Sequence, residues 1–94
     1  MSADAPIRHD AQNRRFVIGE GANAAELTYA RTGNALDYRH TFVPPALRNR
    51  GIASELAHFA LRYARDNGLE VIPSCPFIAS FIRRNPQYGD LVGG

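Results

Sequence analysis

The sequence predicts a mixed α+β domain of three antiparallel strands, one parallel strand and two helices. Three observations carry that reading. Apolar and other residues alternate through Ala25–Tyr29 and again through Leu36–Phe42, the period of a half-buried strand. The spacing then changes: Ala53, Leu56, Ala57, Ala60, Leu61 and Ala64 recur at the intervals of one helix face. A short apolar run, Leu69–Ile72, follows that helix, so residues 34 to 73 make a strand–helix–strand unit whose two strands should be parallel.

Taken in order, Arg15-Phe16-Val17-Ile18 reads as the first strand, followed by the turn-prone residues Gly19 to Asn23. Ala25, Leu27 and Tyr29 face one way on the second strand. Thr32-Gly33-Asn34 is a hairpin signal, because Gly and Asn tolerate positive φ. On the third strand Leu36, Tyr38, His40 and Phe42 are expected on one face, with Asp37, Arg39 and Thr41 on the other. Pro44-Pro45 ends the strand, since proline has no ladder donor. Asn67-Gly68 closes the long helix, with Gly68 suited to the left-handed position after its last turn. A shorter helix, Phe77–Arg84, must stop near Asn85-Pro86.

With 94 residues the chain is expected to be one domain over residues 1–94, with 1–6 and 93–94 flexible. Its 45% hydrophobic and 21% charged content is that of a globular soluble protein. No segment has the length of a membrane span or the apolar core of a signal peptide, so a cytoplasmic setting without membrane contact is expected. All eleven cations are arginines, yet the net charge of +2 is too small to indicate nucleic acid as a partner. Cys75 has no second cysteine to pair with, and no metal is expected.

In open sheets with parallel strands, ligands gather at the strands' carboxyl ends. Those ends here are Phe42-Val43-Pro44 and Ile72-Pro73-Ser74-Cys75. Beside them, Arg48-Asn49-Arg50-Gly51-Ile52-Ala53 opens the long helix. A helix start presents unpaired N–H groups and partial positive charge, and so suits an anion; a plain turn with two solvated arginines accounts for the spacing equally well. A lone cysteine is ordinarily a small buried hydrophobe, but Cys75 stands at a strand end and just before a helix start, a setting of reactive thiols.

The Arg48-x-x-Gly51-x-Ala53 spacing resembles the acetyl-CoA diphosphate motif of the GNAT superfamily of N-acetyltransferases. The wider blocks HTFVPPALRNRGIA and GLEVIPSCPFIASFIRRNPQY, closing with DLV, resemble the YjdJ-type minimal branch, over about Arg14 to Val92. The resemblance implies a reduced GNAT-like fold and an acetyl-CoA-dependent N-acetyltransferase. It implies that acetyl-CoA lies where strands 34–43 and 69–73 splay apart, its diphosphate on the N–H groups of Arg48, Asn49, Arg50, Gly51, Ile52 and Ala53. The pantetheine arm would pair with the backbone at Phe42 and Val43, where an N–H would polarise the thioester carbonyl. Cys75 would lie near the thioester, either accepting the acetyl group or lining its pocket. His40, in the H-T-x-V-P-P context, would be a base for the incoming amine or a structural histidine.

Two departures stand out. Larger relatives of this kind commonly carry a tyrosine on the last helix as proton donor to the leaving thiolate, whereas FIASFIRR offers Phe77 and Phe81. Tyr88, beyond Pro86, would either reach the site or pack. Arg83 and Arg84 read as a solvated helix end, with contact to a CoA phosphate as the alternative. The pieces that usually build an acceptor site are also missing, which leaves an open groove for an amine on a small molecule or a protein, or a partner subunit to complete it. Two further functions compete: a CoA- or acyl-CoA-binding module with little or no turnover, and, more remotely, a basic nucleic-acid-binding domain lacking the expected aromatic platform.

Overall fold

The computed structural model describes residues 7–93; the flexibility expected at 1–6 and 94 lies outside the described residues. Five strands form one sheet in sequence order: β1 (Ile7–Asp10), β2 (Arg15–Ile18), β3 (Ala25–Thr32), β4 (Ala35–Phe42) and β5 (Glu70–Ile72). The first four pair antiparallel and β5 joins β4 in parallel. The mixed class is as the sequence predicts, with β1 as an addition. Its four residues, I-R-H-D, hold one aliphatic side chain and so carry no readable alternation.

Helix α1 (Ile52–Asp66) covers one face of the sheet. Leu56, Ala57, Ala60, Leu61 and Ala64 are its buried residues, five of the six positions picked out by the periodicity. Burial drives this packing at about 25 cal/mol per Å² of apolar surface, and the alanines let helix and sheet approach closely. Tyr38, fully buried on β4, spans that contact by donating its hydroxyl to the Ala60 carbonyl at 2.5 Å. Burial pushes the Tyr38 phenol far up, so it remains a neutral donor. At the far end Gly68 takes a φ of +67°, and the Leu69 N–H returns to the Ala64 carbonyl at 2.8 Å to close the helix.

Helix α2 (Pro76–Arg84) packs on α1 through buried Ile78, Phe81 and Ile82. The 3-10 segment Pro86–Leu91 then returns across α1 and buries Tyr88 and Leu91. All of these join one apolar cluster with Phe16, Leu27, Leu36 and Val71. No helix among the described residues is long and apolar enough to cross a membrane.

Candidate functional site

Strands β4 and β5 stay together for three rungs, Ala35–Glu70, Leu36–Val71 and Asp37–Ile72. Pro73 then turns the chain away, and the last link is the Cys75 N–H donating to the Tyr38 carbonyl at 2.8 Å. Beyond Tyr38, β4 runs on to Phe42 without a β5 partner, so the ladder ends there and leaves a gap beside β4.

A β-bulge decides which side chains meet in that gap. Tyr29 pairs with Tyr38 and Thr28 with His40, which leaves Arg39 with no residue opposite it. The extra residue reverses the alternation of everything that follows. Thr41 therefore pairs with Leu27 on the helix side of the sheet, whereas His40 and Phe42 turn to the opposite face and are exposed. The sequence-based expectation that His40 and Phe42 share a face with Leu36 and Tyr38 is thus overturned. In place of His40, the Thr41 hydroxyl lies 3.4 Å from the Cys75 thiol sulfur.

Cys75 is 4% exposed and caps α2 at the residue before Pro76. Its N–H holds β4 and its carbonyl accepts from Ala79, so the backbone fixes the thiol beside the apex of the gap.

The loop between β4 and α1 is built for a different task. Pro45–Leu47 makes a single 3-10 turn, after which Asn49 and Gly51 both take left-handed backbone, with φ of +65° and +72°. The first main-chain bond of α1 runs from the Glu55 N–H to the Gly51 carbonyl. Upstream of it, the six consecutive N–H groups from Asn49 to Ser54 donate to nothing among the described residues. Unpaired N–H groups at a helix start, converging through left-handed residues, are an anion-binding concavity. A pocket of about 280 Å³ sits over them and brings together Val43, Arg48, Asn49, Gly51, Ile52 and Ala53. A Cβ placed on Gly51 would meet no atom within 4 Å and would project into open space. The residues present therefore fit a diphosphate group. The pocket also includes Leu47 and Ser54, which the sequence did not single out, and omits Phe42 and Arg50.

Arg48 donates its Nε–H to the Val43 carbonyl at 2.9 Å, which ties the loop to the end of β4. Arg83 and Arg84 lie exposed in the last turn of α2. Tyr88 is packing: it is 5% exposed, its hydroxyl pairs with His58 Nδ1 at 2.9 Å, and its ring stacks on Phe81. Among the described residues no His, Cys, Asp and Glu side chains cluster as three or more potential metal ligands.

Comparison with known proteins adds an independent line. The family model of the GCN5-related N-acetyl-transferases matches residues 15–91. Protein NATD1 of Bos taurus is 37% identical over 86 residues, covering 86% of this chain and 76% of that protein. Protein NATD1 of Danio rerio is 34% identical over 84 residues, with the same coverages. Among solved structures, the solution structure of a GCN5-like N-acetyltransferase candidate from Staphylococcus aureus superposes with a TM-score of 0.77 at 29% identity, covering 96% of this chain and 89% of that one.

Proposed function

The chain belongs to the GCN5-related N-acetyltransferase family, and from that premise we propose that it transfers the acetyl group of acetyl-CoA to an amine. The observation that carries the proposal is the run of free N–H groups from Asn49 to Ser54 beneath an open pocket, beside a gap between parallel strands.

Acetyl-CoA supplies the activated thioester: the amine nitrogen bonds to the acetyl carbon, the carbon–sulfur bond breaks, and the sulfur leaves as thiolate. In this reading the N–H groups of Asn49, Arg50, Gly51, Ile52 and Ala53 bind the diphosphate oxygens, and Arg48 and Arg50 add positive charge. The exposed edge of β4 past Tyr38 has main-chain groups free to pair with an extended amide chain, as an added strand would. An N–H near Phe42 and Val43 stabilises the oxyanion as the carbonyl is attacked. Cys75 and Thr41 line the helix side of the same gap. His40, exposed on the opposite face, is free to take the proton that the attacking amine loses. A cytoplasmic setting suits this chemistry, and a partner subunit would complete the acceptor side if the groove alone does not.

A second reading, a CoA- or acyl-CoA-binding module with little turnover, is favoured by one feature. Tyr88, the one tyrosine after α1, is committed to His58 and supplies no proton donor to a leaving thiolate. The test is release of free thiol from acetyl-CoA against a panel of alkylamines, polyamines and lysine peptides. Amine-dependent release supports transfer. Saturable binding of acetyl-CoA with no release above the amine-free rate supports the binding module, and no binding at all removes both.

A further inference from the structure

Outside the stripe that packs on the sheet, α1 carries a groove that the chemistry above leaves unused. Two rows of residues spaced four apart line it: Phe59, Tyr63 and Asn67 in one, Arg62 and Asp66 in the other, around a cavity of about 240 Å³. It shares no lining residue with the pocket over the Asn49 to Ser54 N–H groups. The aromatic wall is braced from behind. Phe16 meets Phe59 and Tyr63 edge-on at centroid distances of 5.7 and 5.5 Å, and His9 meets Tyr63 at 4.6 Å. Phe59 nevertheless stays 37% exposed, so its outer surface is open to a ligand. The polar wall is open as well: Arg62 and Asp66 are exposed, and neither enters an ion pair among the described residues. Neighbouring Arg65 is engaged with Asp90 and the Gln87 carbonyl. Asn67 donates its Nδ2–H to the Tyr63 carbonyl at 2.8 Å, which leaves its Oδ1 without a partner among the described residues. Asp66 is the last residue of α1, where the helix dipole disfavours a carboxylate and favours a cation.

We propose that this groove binds a free aromatic α-amino acid as its zwitterion. The ammonium sits at Asp66 and the Asn67 Oδ1, the carboxylate on the Arg62 guanidinium, and the ring against Phe59 and Tyr63. The charge pattern selects this class. A phosphate ligand would satisfy Arg62 but be repelled by Asp66, and a simple amine would leave Arg62 unanswered. A zwitterion meets both at once. The cavity is also smaller than the roughly 300–1,000 Å³ of sites for drug-sized ligands, which suits a single amino acid rather than a nucleotide. An amino acid inside a peptide has lost both charges, so the groove discriminates the free molecule from the same residue in a chain. The site lies along the flank of α1 and not at its start, so it stands independently of the transferase reading.

The experiment is a titration of the ¹⁵N-labelled protein with L-phenylalanine at pH 7 and constant ionic strength. Phenethylamine, which lacks the carboxylate, 3-phenylpropanoate, which lacks the ammonium, and glycine, which lacks the ring, are titrated in parallel. The amide signals of Arg62, Tyr63, Asp66 and Asn67 should shift saturably with L-phenylalanine, while those of Gly51 and Ala53 stay still. Each truncated analogue should bind about two- to fivefold more weakly, the range of an exposed ion pair, and glycine more weakly again. Two variants at exposed positions assign the charges, and their spectra report that they are folded. Arg62→Gln should weaken L-phenylalanine binding to the same degree without weakening phenethylamine. Asp66→Asn should weaken L-phenylalanine without weakening 3-phenylpropanoate. No saturable shift with L-phenylalanine, equal affinity for all four ligands, or loss of phenethylamine binding in Arg62→Gln would each overturn the site. So would α1 signals that move with protein concentration alone and not with ligand, because the groove would then be the contact between two copies of the chain.

Discussion

A side chain at position 51 would be opposed twice. The backbone there has φ of +72°, a conformation that costs an L-residue about 1–2 kcal/mol, and Gly51 lines the pocket, so a branched side chain takes up space that is now open. Gly51→Val is therefore expected to abolish measurable acetyl-CoA binding in calorimetry while the domain stays folded by circular dichroism; wild-type affinity would refute the diphosphate assignment. Cys75 makes the opposite forecast. It is buried beside Thr41 and does not line the pocket over the loop N–H groups, so Cys75→Ala should keep cofactor affinity within about threefold and lower turnover at least tenfold, a loss near 1.4 kcal/mol in barrier. Turnover unchanged in that variant would leave Cys75 as packing. At this scale the sequence made Gly51 and Cys75 legible, because a glycine before a helix and a cysteine at a strand end are local signals. It did not make Thr41 legible. His40 and Thr41 exchange faces only because Arg39 is bulged, and the Tyr-Arg-His stretch carries no Gly or Pro to mark the extra residue.

Among the elements, β1 is the strand that alternation could not reveal, and its attachment is aromatic and protonation-dependent. His9 stacks on Phe16 at a centroid distance of 4.5 Å, meets Tyr63 edge-on at 4.6 Å, and pairs its Nε2 with the Tyr29 hydroxyl at 2.6 Å. Burial among these groups holds the His9 imidazole below its ordinary value, only partly opposed by the Asp10 charge. The folded state thus disfavours the cation that the unfolded chain forms freely. The stabilisation is fully present above about pH 6.5, the unfolded value, and is lost as pH falls through the lower folded value. Melting temperatures measured from pH 8 to pH 5 should decline in the wild type, and His9→Phe should flatten that decline. An equal slope in both proteins would place the pH dependence elsewhere. Asp10 offers a check on the window, since its bonds from Asn13 and Arg15 lower its value and its loss belongs to more acid pH. The helix and hairpin were easier to read. The apolar stripe of α1 and the Gly33-Asn34 turn, with Gly33 at φ of +58°, are encoded within a few residues. The four-residue β1 has its ladder partner β2 close by, but the aromatic partners that bury it, Tyr29 on β3 and Tyr63 on α1, lie far along the chain.

Among the described residues, one side of the sheet is buried and much of the other lies open, with Phe42 at 50% and Ile72 at 41% exposure. A chain this short, covered mainly on one side, has a small stability reserve; domains of comparable length retain only about 60–65% surface burial on folding. The proposed cofactor site joins the tip of β4 to the loop before α1, and past the last β4–β5 rung the Cys75 N–H to the Tyr38 carbonyl is the main-chain link beside the gap. A ligand that binds the folded form alone shifts its unfolding by mass action, about 2.7 kcal/mol at a hundred times its dissociation constant. For a domain of 60–100 residues each kcal/mol moves the melting temperature by about 4–8 °C. Acetyl-CoA at that saturation should accordingly raise the melting temperature by on the order of 10–20 °C. A single-stranded oligonucleotide at physiological salt should leave it unmoved, because the net charge of +2 supplies little counterion release. The same melt on Cys75→Ala should keep the full shift, and on Gly51→Val should show none. A wild-type shift under a few degrees with saturating acetyl-CoA would mean that the free N–H groups at the start of α1 do not hold its diphosphate.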